Sequence, residues 1–343
     1  MTTSNTAEVL TLLEIRKRLK KGGNELADII DEVEDNVPQL KQAVFQQANQ
    51  GTFHDVVRWT TRPTGTYTAF NEGIETEVSG TDRDVEPVAM LNGLSKVDMR
   101  LVQLNGGMGQ RLKEDKRYMK GMSTNVGNGI FTADRGENTR QPRGILKRPY
   151  YYDLDSPNVF DNAQGNASST ANKTAAVCIN WGEDLASLIY PSVNPNPGMG
   201  QASYGIQHKD LGIQLARDPM GREFPAWVSW LQFYWGLCIE NRNAVHVLAN
   251  VTADPTVIDN EDDFGFVESV AYRFRQKVKK TSGGRGAVMY VSDELHALMW
   301  DRMDEKSNVF HVAKDGFGQD VVMFIDIPIQ STDSIPTDLP TCV

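Results

Sequence analysis

The chain has 343 residues and a formal net charge of −10 at neutral pH, so its length suits one large domain or two ordinary ones. No apolar run reaches the roughly eighteen residues that a membrane-spanning helix needs, and the first residues lack the basic and apolar segments of a signal peptide. The acidic balance argues against a protein whose task is to grip nucleic acid, because phosphate contacts favour basic chains. It does not exclude a container wall that lies beside DNA.

The first forty residues separate their charges. We predict a short helix over 9–21 that carries a basic run, and an acidic amphipathic helix over 25–36 with apolar residues at helical spacing. The basic run consists of Arg16, Lys17, Arg18, Lys20 and Lys21. Two interpretations stay open: a pair of solvated surface helices, or an arm whose basic, inward-facing patch contacts neighbouring subunits, a scaffold or packaged DNA.

The segment after this arm has the composition of extended structure. Strand-forming residues cover 56–61, turn chemistry follows over 62–66, and 67–70 could resume a strand. Residues 71–84 are polar, and strand character returns over 85–94. This pattern predicts a long two-stranded excursion with a polar tip. Such an excursion buries little by itself and needs a partner to pack on.

A stripe of inward-facing positions predicts one long helix from about Gly109 towards Gly127. The stripe recurs at alternating spacings of four and three, and charged residues such as Arg111 fill the outer face. Its members are Met108, Leu112, Asp115, Met119, Met122 and Val126. We interpret Asp115, the carboxylate on this stripe, as a partner in a hydrogen bond or ion pair with a neighbouring strand rather than as a catalytic acid.

The remaining elements lack the regular strand–helix–strand order of a doubly wound fold, so we predict an α+β fold. Exposed loops should surround a strand-like segment at 144–146. An aromatic-rich region over 224–251 is predicted to form a broad, buried strand pair at the heart of the fold. Further strands are predicted over 175–181, 185–190, 287–291 and 320–329, and helices over 264–280 and 292–304.

Residue patterns typical of catalytic, cofactor or metal sites do not occur in the sequence. The five histidines are scattered, and Cys178, Cys238 and Cys342 lack metal-ligand spacing. Cys178 and Cys238 lie in apolar runs and are predicted to pack in the core. Acidic residues over 259–263 are explained by the start of a helix. We therefore predict no catalytic residue, no cofactor-binding residue and no metal ligand, in a protein made in a reducing cytoplasm.

Short motifs along nearly the whole chain carry a family resemblance through their order. They are Leu10–Glu14, Arg58-Trp59, Arg62-Pro63, Phe70–Gly73, Leu104–Gly106, Gln141–Ile145, Ile179–Gly182, Trp235–Leu237 and Ile327–Ile329. This ordered set resembles the major capsid proteins of tailed bacteriophages with the HK97-like fold, in a podovirus-type branch. Two positions depart from the family pattern: Ser292 stands where Asn is expected, and Asp326 where Gly is expected.

The resemblance implies an α+β, HK97-like capsid fold. It implies an N-terminal arm over 1–50, an extended β-hairpin loop over 51–94, and a spine helix with its peripheral domain over 95–135. Residues 136–255 would form a mixed axial and peripheral β-rich region, and 256–343 the remaining axial and peripheral elements. Contacts between subunits would lie on the hairpin loop. The candidate contact residues are Trp59, Arg62, Tyr67, Phe70, Glu72 and Arg83.

The implied function is that of a non-enzymatic coat protein that self-assembles into hexamers and pentamers of an icosahedral shell around phage double-stranded DNA. Its partners would be copies of itself, portal and scaffolding proteins, and DNA bound non-specifically, with a decoration protein as a further candidate and no membrane. It would assemble in the host cytoplasm and reside in the virion capsid. Two alternatives stay open: an encapsulin-like compartment of the same fold and, more distantly, a cytoplasmic α+β enzyme.

Overall fold

The computed structural model describes a defined set of segments of the chain. They are residues 37–61, 63–104, 108–165, 173–191, 206–252, 268–279, 286–305, 310–314 and 320–342. The helices predicted over 9–21 and 25–36, with the basic run 16–21, lie outside the described residues, as do Arg62 and the acidic run 259–263.

Fourteen strands and five helices lie in the described part of the chain. The strands are β1 (Phe45–Gln47), β2 (Phe53–Thr61), β3 (Gly80–Pro87), β4 (Ala89–Asp98), β5 (Val159–Asp161), β6 (Lys173–Asn180), β7 (Ala186–Tyr190), β8 (Ile206–Arg217), β9 (Glu223–Ile239), β10 (Val245–Thr252), β11 (Ala287–Val291), β12 (Phe310–Lys314), β13 (Asp320–Phe324) and β14 (Ile327–Ser331). The helices are α1 (Pro38–Gln42), α2 (Met99–Leu104), α3 (Met108–Thr132), α4 (Glu268–Lys279) and α5 (Asp293–Glu305). None of these helices is both long and apolar enough to cross a membrane.

Strands β2 and β3 form a separate antiparallel hairpin in which Phe53 lies opposite Pro87. Residues 63–79 at its tip adopt neither helix nor strand. The predicted two-stranded excursion is confirmed, but the strand predicted over 67–70 is wrong. Strand β3 begins at Gly80, within the segment predicted to be the polar tip. The polar residues of β3 form a strand because charged side chains of β2 pair with them. These ion pairs stabilise the strand in place of an apolar core.

The long strand β9 organises a five-stranded sheet of order β1-β7-β9-β4, in which β8 also pairs with β9. Strand β4 runs antiparallel to β9 along residues 226–235, β8 along 223–233 and β7 along 236–239. Because Val88 alone separates β3 from β4, the hairpin extends directly from this sheet.

Helix α3 packs along one face of this sheet. The ring of Tyr118 on α3 occupies the space that a side chain at Gly93 of β4 would fill, so the helix packs on the strand through this ring. The predicted long helix is confirmed and ends at Thr132. The inward stripe is confirmed from Asp115 onward but wrong one turn earlier, where Leu112 is 41% exposed.

Arg111, predicted on the outer face of α3, is buried instead. Its guanidinium lies between the helix and the sheet, where it donates to Asp210 of β8 and Ser229 of β9. The prediction failed because hydrophobic spacing cannot anticipate an arginine that enters the interior through specific polar partners.

Seven strands form the second sheet, in the order β12-β13-β14-β11-β6-β10-β5. Its residues alternate between two cores, as the period of two along a strand requires. Val177 and Ile179 belong to the core shared with α3, whereas Ala176 and Cys178 face the core built with α4 and α5. The predicted burial of Cys178 and Cys238 is confirmed.

The aromatic-rich region over 224–251 is buried, but its predicted strand pair is wrong. Strand β9 belongs to the first sheet and β10 to the second. The segment at 144–146 is also no strand. A 3-10 helix covers Ile145–Lys147, in which the backbone N–H of Lys147 donates to the Gly144 carbonyl and that of Arg148 to the Ile145 carbonyl. The strands predicted over 175–181, 185–190, 287–291 and 320–329 and the helices predicted over 264–280 and 292–304 each overlap a described element, whereas β1, β5, β8, β12, α1 and α2 were not predicted.

Candidate interface at the hairpin

A buried ion pair fixes the base of the hairpin to the rest of the molecule. Glu86 of β3 has no exposed surface, and Arg148 donates to its carboxylate from both Nη1 and Nη2, with Nη2 at 3.0 Å from Oε2. Arg148 Nη2 also donates to the carbonyl of Leu237 in β9, at 3.0 Å. Arg58 of β2 contributes a second cation 3.8 Å from Glu86. The hairpin therefore leaves the molecule in one defined direction.

Further ion pairs surround this base. Asp84 accepts from Arg58 at 3.0 Å and from Arg143 at 3.1 Å. Burial alone would raise the pKa of Asp84, but the hydrogen bond and charge of Arg58, with the charge of Arg143, hold it below its ordinary value. Arg83 pairs with Asp55 across the strands. The stem is thus held by charges on both of its strands.

The tip of the hairpin presents large apolar side chains to solvent. Tyr67 and Phe70 are fully exposed, and Ile74 and Val78 keep 80% and 87% of their surface exposed. Exposed apolar groups in a contiguous segment mark a surface for another molecule. The tip was predicted to be polar. Its composition is polar, but these four side chains give it an apolar surface.

Local hydrogen bonds shape the tip backbone. Glu77 Oε2 accepts from the backbone N–H groups of Thr64 and Gly65, at 2.8 and 3.2 Å. Glu72 Oε2 accepts from the N–H of Ala69 at 2.7 Å. Asn71 has a φ of 68°, in the left-handed region that asparagine tolerates. These bonds define the backbone path of the loop that carries Tyr67 and Phe70.

The candidate contact residues divide between tip and stem. Tyr67, Phe70 and Glu72 lie together at the tip, whereas Arg83 lies on the stem with its side chain 66% exposed. Trp59 lies opposite Thr81 in the hairpin ladder; its side chain and Arg62 lie outside the described residues. The structure therefore brings three of the six candidates together.

Sequence reasoning missed the charges that anchor the hairpin. Glu86 and Arg148 are 62 residues apart, and Arg58 and the Ile239 carbonyl to which it donates are 181 residues apart. Arg58 belongs to the Arg58-Trp59 motif, but the motif did not indicate that Arg58 anchors the hairpin. No local pattern could have shown which of the many charged residues meet.

Asp115 forms the structural contact that was predicted for it. Its Oδ2 accepts from Ser229 Oγ of β9 at 2.8 Å and lies 3.4 Å from His208 Nε2 of β8. Burial alone would raise the pKa of Asp115, but the neighbouring polar groups of His208, Ser95 and Ser229 lower it overall. This cluster joins α3 to the sheet.

One group of side chains has the composition of a metal site. The ligand atoms of His54, Cys238 and Glu240 lie within 4.8 Å of one another. His54 already uses both ring nitrogens: Nε2 lies 3.3 Å from Glu240 Oε1, and Nδ1 accepts from the N–H of Asn49 at 3.3 Å. Burial, with the charges of Glu240 and Glu86, raises the pKa of the Cys238 thiol, which disfavours the thiolate that a metal binds. The geometry is explained by a hydrogen-bonded histidine.

Several solved structures are similar to this chain. A chain of the bacteriophage Epsilon15 structure is similar with 18% identity over 88% of this chain and 88% of that chain, at a TM-score of 0.65. A bacteriophage JBD30 capsid chain has 12% identity over 86% and 90% of the two chains, at 0.46. An encapsulin of Synechococcus elongatus PCC 7942 has 12% identity over 61% and 85%, at 0.37. No curated protein sequence matches the chain.

The fold conclusion rests on the Epsilon15 match, and it defines the class: a protein with the HK97-like fold of phage capsids. Residues 21–338 match the family model described as Major capsid protein GP7. The chain belongs to this family of major capsid proteins. It is therefore a shell subunit of a phage capsid, located in the virion, and it acts as an oligomer.

Proposed function

We propose that copies of this chain build an icosahedral shell of hexamers and pentamers around double-stranded DNA, and that each hairpin tip packs on a neighbouring copy. The observation that carries the proposal is the apolar tip, where Tyr67 and Phe70 are fully exposed. A tip of this kind gains by burial against another subunit, and shell subunits make such heterologous contacts throughout a closed assembly.

The two sheets of the subunit receive different roles in this proposal. We propose that α3 and the β9 sheet form the peripheral part, with the spine helix over 95–135 and the extended loop over 51–94. The seven-stranded sheet with α4 and α5 would form the axial part at the capsomer centre, drawn from 136–255 and 256–343. Within the arm over 1–50, Val37, Leu40 and Phe45 belong to the core of the subunit, so the part of the arm before them would reach other molecules.

The proposed partners follow from the same assembly. They are a portal protein and a scaffolding protein during assembly, with a decoration protein on the outside of the shell as a further candidate. DNA would be held without sequence preference, in agreement with an acidic chain whose basic residues are locally grouped. Assembly would occur in the host cytoplasm. We propose no catalytic activity, since the clustered charges of the described residues serve as structural ion pairs.

The tip is tested by the double variant Tyr67→Ser/Phe70→Ser, examined by negative-stain electron microscopy and light scattering. Burial of one aromatic side chain contributes about 1.5–3 kcal/mol, so we expect shell yield to fall about tenfold or more. The urea midpoint of the unassembled chain should stay unchanged, because neither ring is buried within the subunit. Thr66→Ala/Thr68→Ala, in the same exposed loop, is the matched control.

A deletion provides the second test of the hairpin. Because β3 begins at Gly80, removal of residues 66–76 takes away the tip without cutting the strand. The deleted chain should fold and form few shells. Normal shell yield from either the deletion or the double variant would refute the role of the tip.

The encapsulin-like compartment remains the second candidate, and nuclease treatment separates the two. Shells of a phage capsid, produced with the packaging components, should protect genome-length DNA. A compartment would instead retain a protein cargo and no protected DNA. A cytoplasmic enzyme would yield a small oligomer in the same mass measurement.

A further inference from the structure

A basic cavity lies at the base of the hairpin, beside the end of α3. Its volume is about 330 Å³, and six cationic side chains line it together with Asp84 and Asp134. The cations are Arg58, Arg135, Arg143, Lys147, Arg148 and Arg242. Such a concentration of positive charge is unexpected in a chain whose net charge is −10.

The carboxylates around the cavity do not balance these cations. Among the described residues, the ion-pair partners of the six cations are Asp82, Asp84, Glu86 and Asp134. Six cations against four carboxylates leave two positive charges in excess. Arg135 has no carboxylate partner within the described part of the chain and donates to the carbonyl of Gln141 at 3.2 Å. The cavity is therefore an anion-attracting site.

Two of the arginines retain buried donors without acceptors. The side chains of Arg58 and Arg148 are 10% and 9% exposed, and the Nε of each is buried with no hydrogen-bond partner. A buried donor without an acceptor is costly. The guanidinium of Arg242 lies 4.5 Å from the centre of the Tyr150 ring, which fixes its position. An oxyanion, for which guanidinium groups have matching geometry, is the ligand that this set favours.

The sequence contains a segment of the opposite charge close to the cavity. Residues 25–36 hold six acidic residues and no basic one. Val37, which follows directly, is buried against α3, where a Cβ built on Gly127 would lie 2.7 Å from its Cγ1. From Gly127 to Ala133, at the rim of the cavity, the chain advances about 9 Å along the helix axis. Three or four extended residues span that distance.

We propose that the basic cavity binds the acidic segment 25–36 of the same copy of the chain, through ion pairs between its carboxylates and Arg135, Arg143 and Lys147. The binding would supply the missing negative charge at the hairpin base. It would also hold the arm beside the hairpin, so that the basic run 16–21 starts from a fixed point. The proposal concerns the single subunit and does not depend on shell formation.

Zero-length cross-linking of the full-length, unassembled chain with a carbodiimide tests this contact. The reagent joins a carboxylate to a lysine amine only when the two meet, and mass spectrometry identifies the joined peptides. We expect links between Lys147 and residues 25–36, beside a link from Lys147 to Asp134, whose Oδ2 lies 3.9 Å from Nζ. Lys96 is the matched control, an exposed lysine on β4 opposite Val228.

Variants then test the charges. Arg135→Glu/Arg143→Glu should abolish the link from Lys147 to 25–36 and retain the link to Asp134. The milder Arg135→Gln/Arg143→Gln should reduce it, which guards against misfolding of the charge-reversed chain. Mixing ¹⁴N- and ¹⁵N-labelled chains shows whether the joined peptides come from one copy.

Four results would overturn the proposal. The first is equal linking of Lys96 and Lys147 to residues 25–36, and the second is a link from Lys147 to Asp134 alone. The third is mixed-isotope linking only, which would assign the cavity to a neighbouring copy. Protection of Lys147 from acetylation by inorganic phosphate or DNA, without a link to 25–36, would likewise show that phosphate is the ligand. Electron microscopy of shells is a separate measurement, so failure here leaves the capsid function standing.

Discussion

Arg148 donates from both terminal nitrogens of its guanidinium to the carboxylate of Glu86, and the side chains are only 9% and 0% exposed. The pair joins hairpin strand β3 to the segment that follows the long helix. Removal of two charges from water is costly, so such a pair contributes more to a defined geometry than to net stability. For a shell subunit, the direction in which the hairpin projects is the property that this geometry controls.

Glu86→Gln should destabilise the unassembled chain by about 3–5 kcal/mol, because it leaves Arg148 and Arg58 buried beside a neutral group. Urea unfolding measures the loss. The control is Glu114→Gln on the exposed side of α3, where a pair with Arg117 at 3.4 Å contributes about 0–1 kcal/mol. Equal losses of unfolding free energy in the two variants would mean that the buried pair contributes no more to stability than the exposed pair.

Acid should weaken the subunit through His246, a buried residue of β10. Burial, with a smaller contribution from the charge of Lys277, lowers its pKa to about 4. The unfolded chain therefore binds a proton near the ordinary value of 6.5 while the folded chain stays neutral until about 4. The free energy of unfolding should fall as the pH drops through this window, by about 3 kcal/mol in total.

His246→Leu isolates this contribution, since leucine does not titrate and suits the apolar surroundings near Phe274. Urea unfolding of both chains between pH 7 and pH 4 should show a shallower decline for the variant. His296, whose pKa burial also lowers, remains in both chains and contributes equally. Parallel pH profiles would exclude His246 as the source.

The basic run of the arm should matter for assembly or packaging. Replacement of Arg16, Lys17, Lys20 and Lys21 with Gln removes four positive charges and is expected to lower shell yield or DNA content. The matched control removes four charges elsewhere, from Lys96, Arg100, Arg117 and Arg222, all exposed side chains. Particle yield and nuclease-protected DNA that match the wild type in the arm variant would contradict the prediction.

The long helix and the hairpin could be predicted from the sequence, because both depend on local pattern. Met119, Met122 and Val126 recur at the spacing that buries one helical face. The pattern failed at Leu112, since Arg111 occupies the interior with Asp210 and Ser229 as partners. Polar contacts between residues about a hundred positions apart leave no trace in hydrophobic spacing.

The partners of strands could not be predicted for a related reason. Strands β9 and β10 are both rich in apolar residues, and such runs show burial without showing which strand lies alongside. Only the three-dimensional structure separates them into two sheets. The anchor of Glu86 was missed in the same way, because its partners lie far along the chain. Tyr67 and Phe70 were candidate contact residues through the family resemblance, but the predicted polar tip did not anticipate the apolar surface that they form.

Substitution by alanine should have opposite effects on stability at two glycines, Gly121 within α3 and Gly144 after it. A Cβ built on Gly144 would lie 2.6 Å from the backbone nitrogen of Ala133 and 2.8 Å from the carbonyl oxygen of Phe131. Backbone atoms cannot move aside as a flexible side chain can, so Gly144→Ala should cost about 1–3 kcal/mol. Gly121 within α3 has nothing within 4 Å of such a Cβ.

Gly121→Ala should therefore stabilise the chain by about 0.5–1 kcal/mol, because alanine loses less backbone freedom on entering a helix. The urea midpoints of the two variants should move in opposite directions from the wild type at unchanged slope. A lower midpoint for Gly121→Ala would indicate that this face of the helix is covered by another molecule even before shells form. Since Gly121 lies on the exposed side of the spine helix, the same variant examined in assembled shells reports whether a neighbour covers it there.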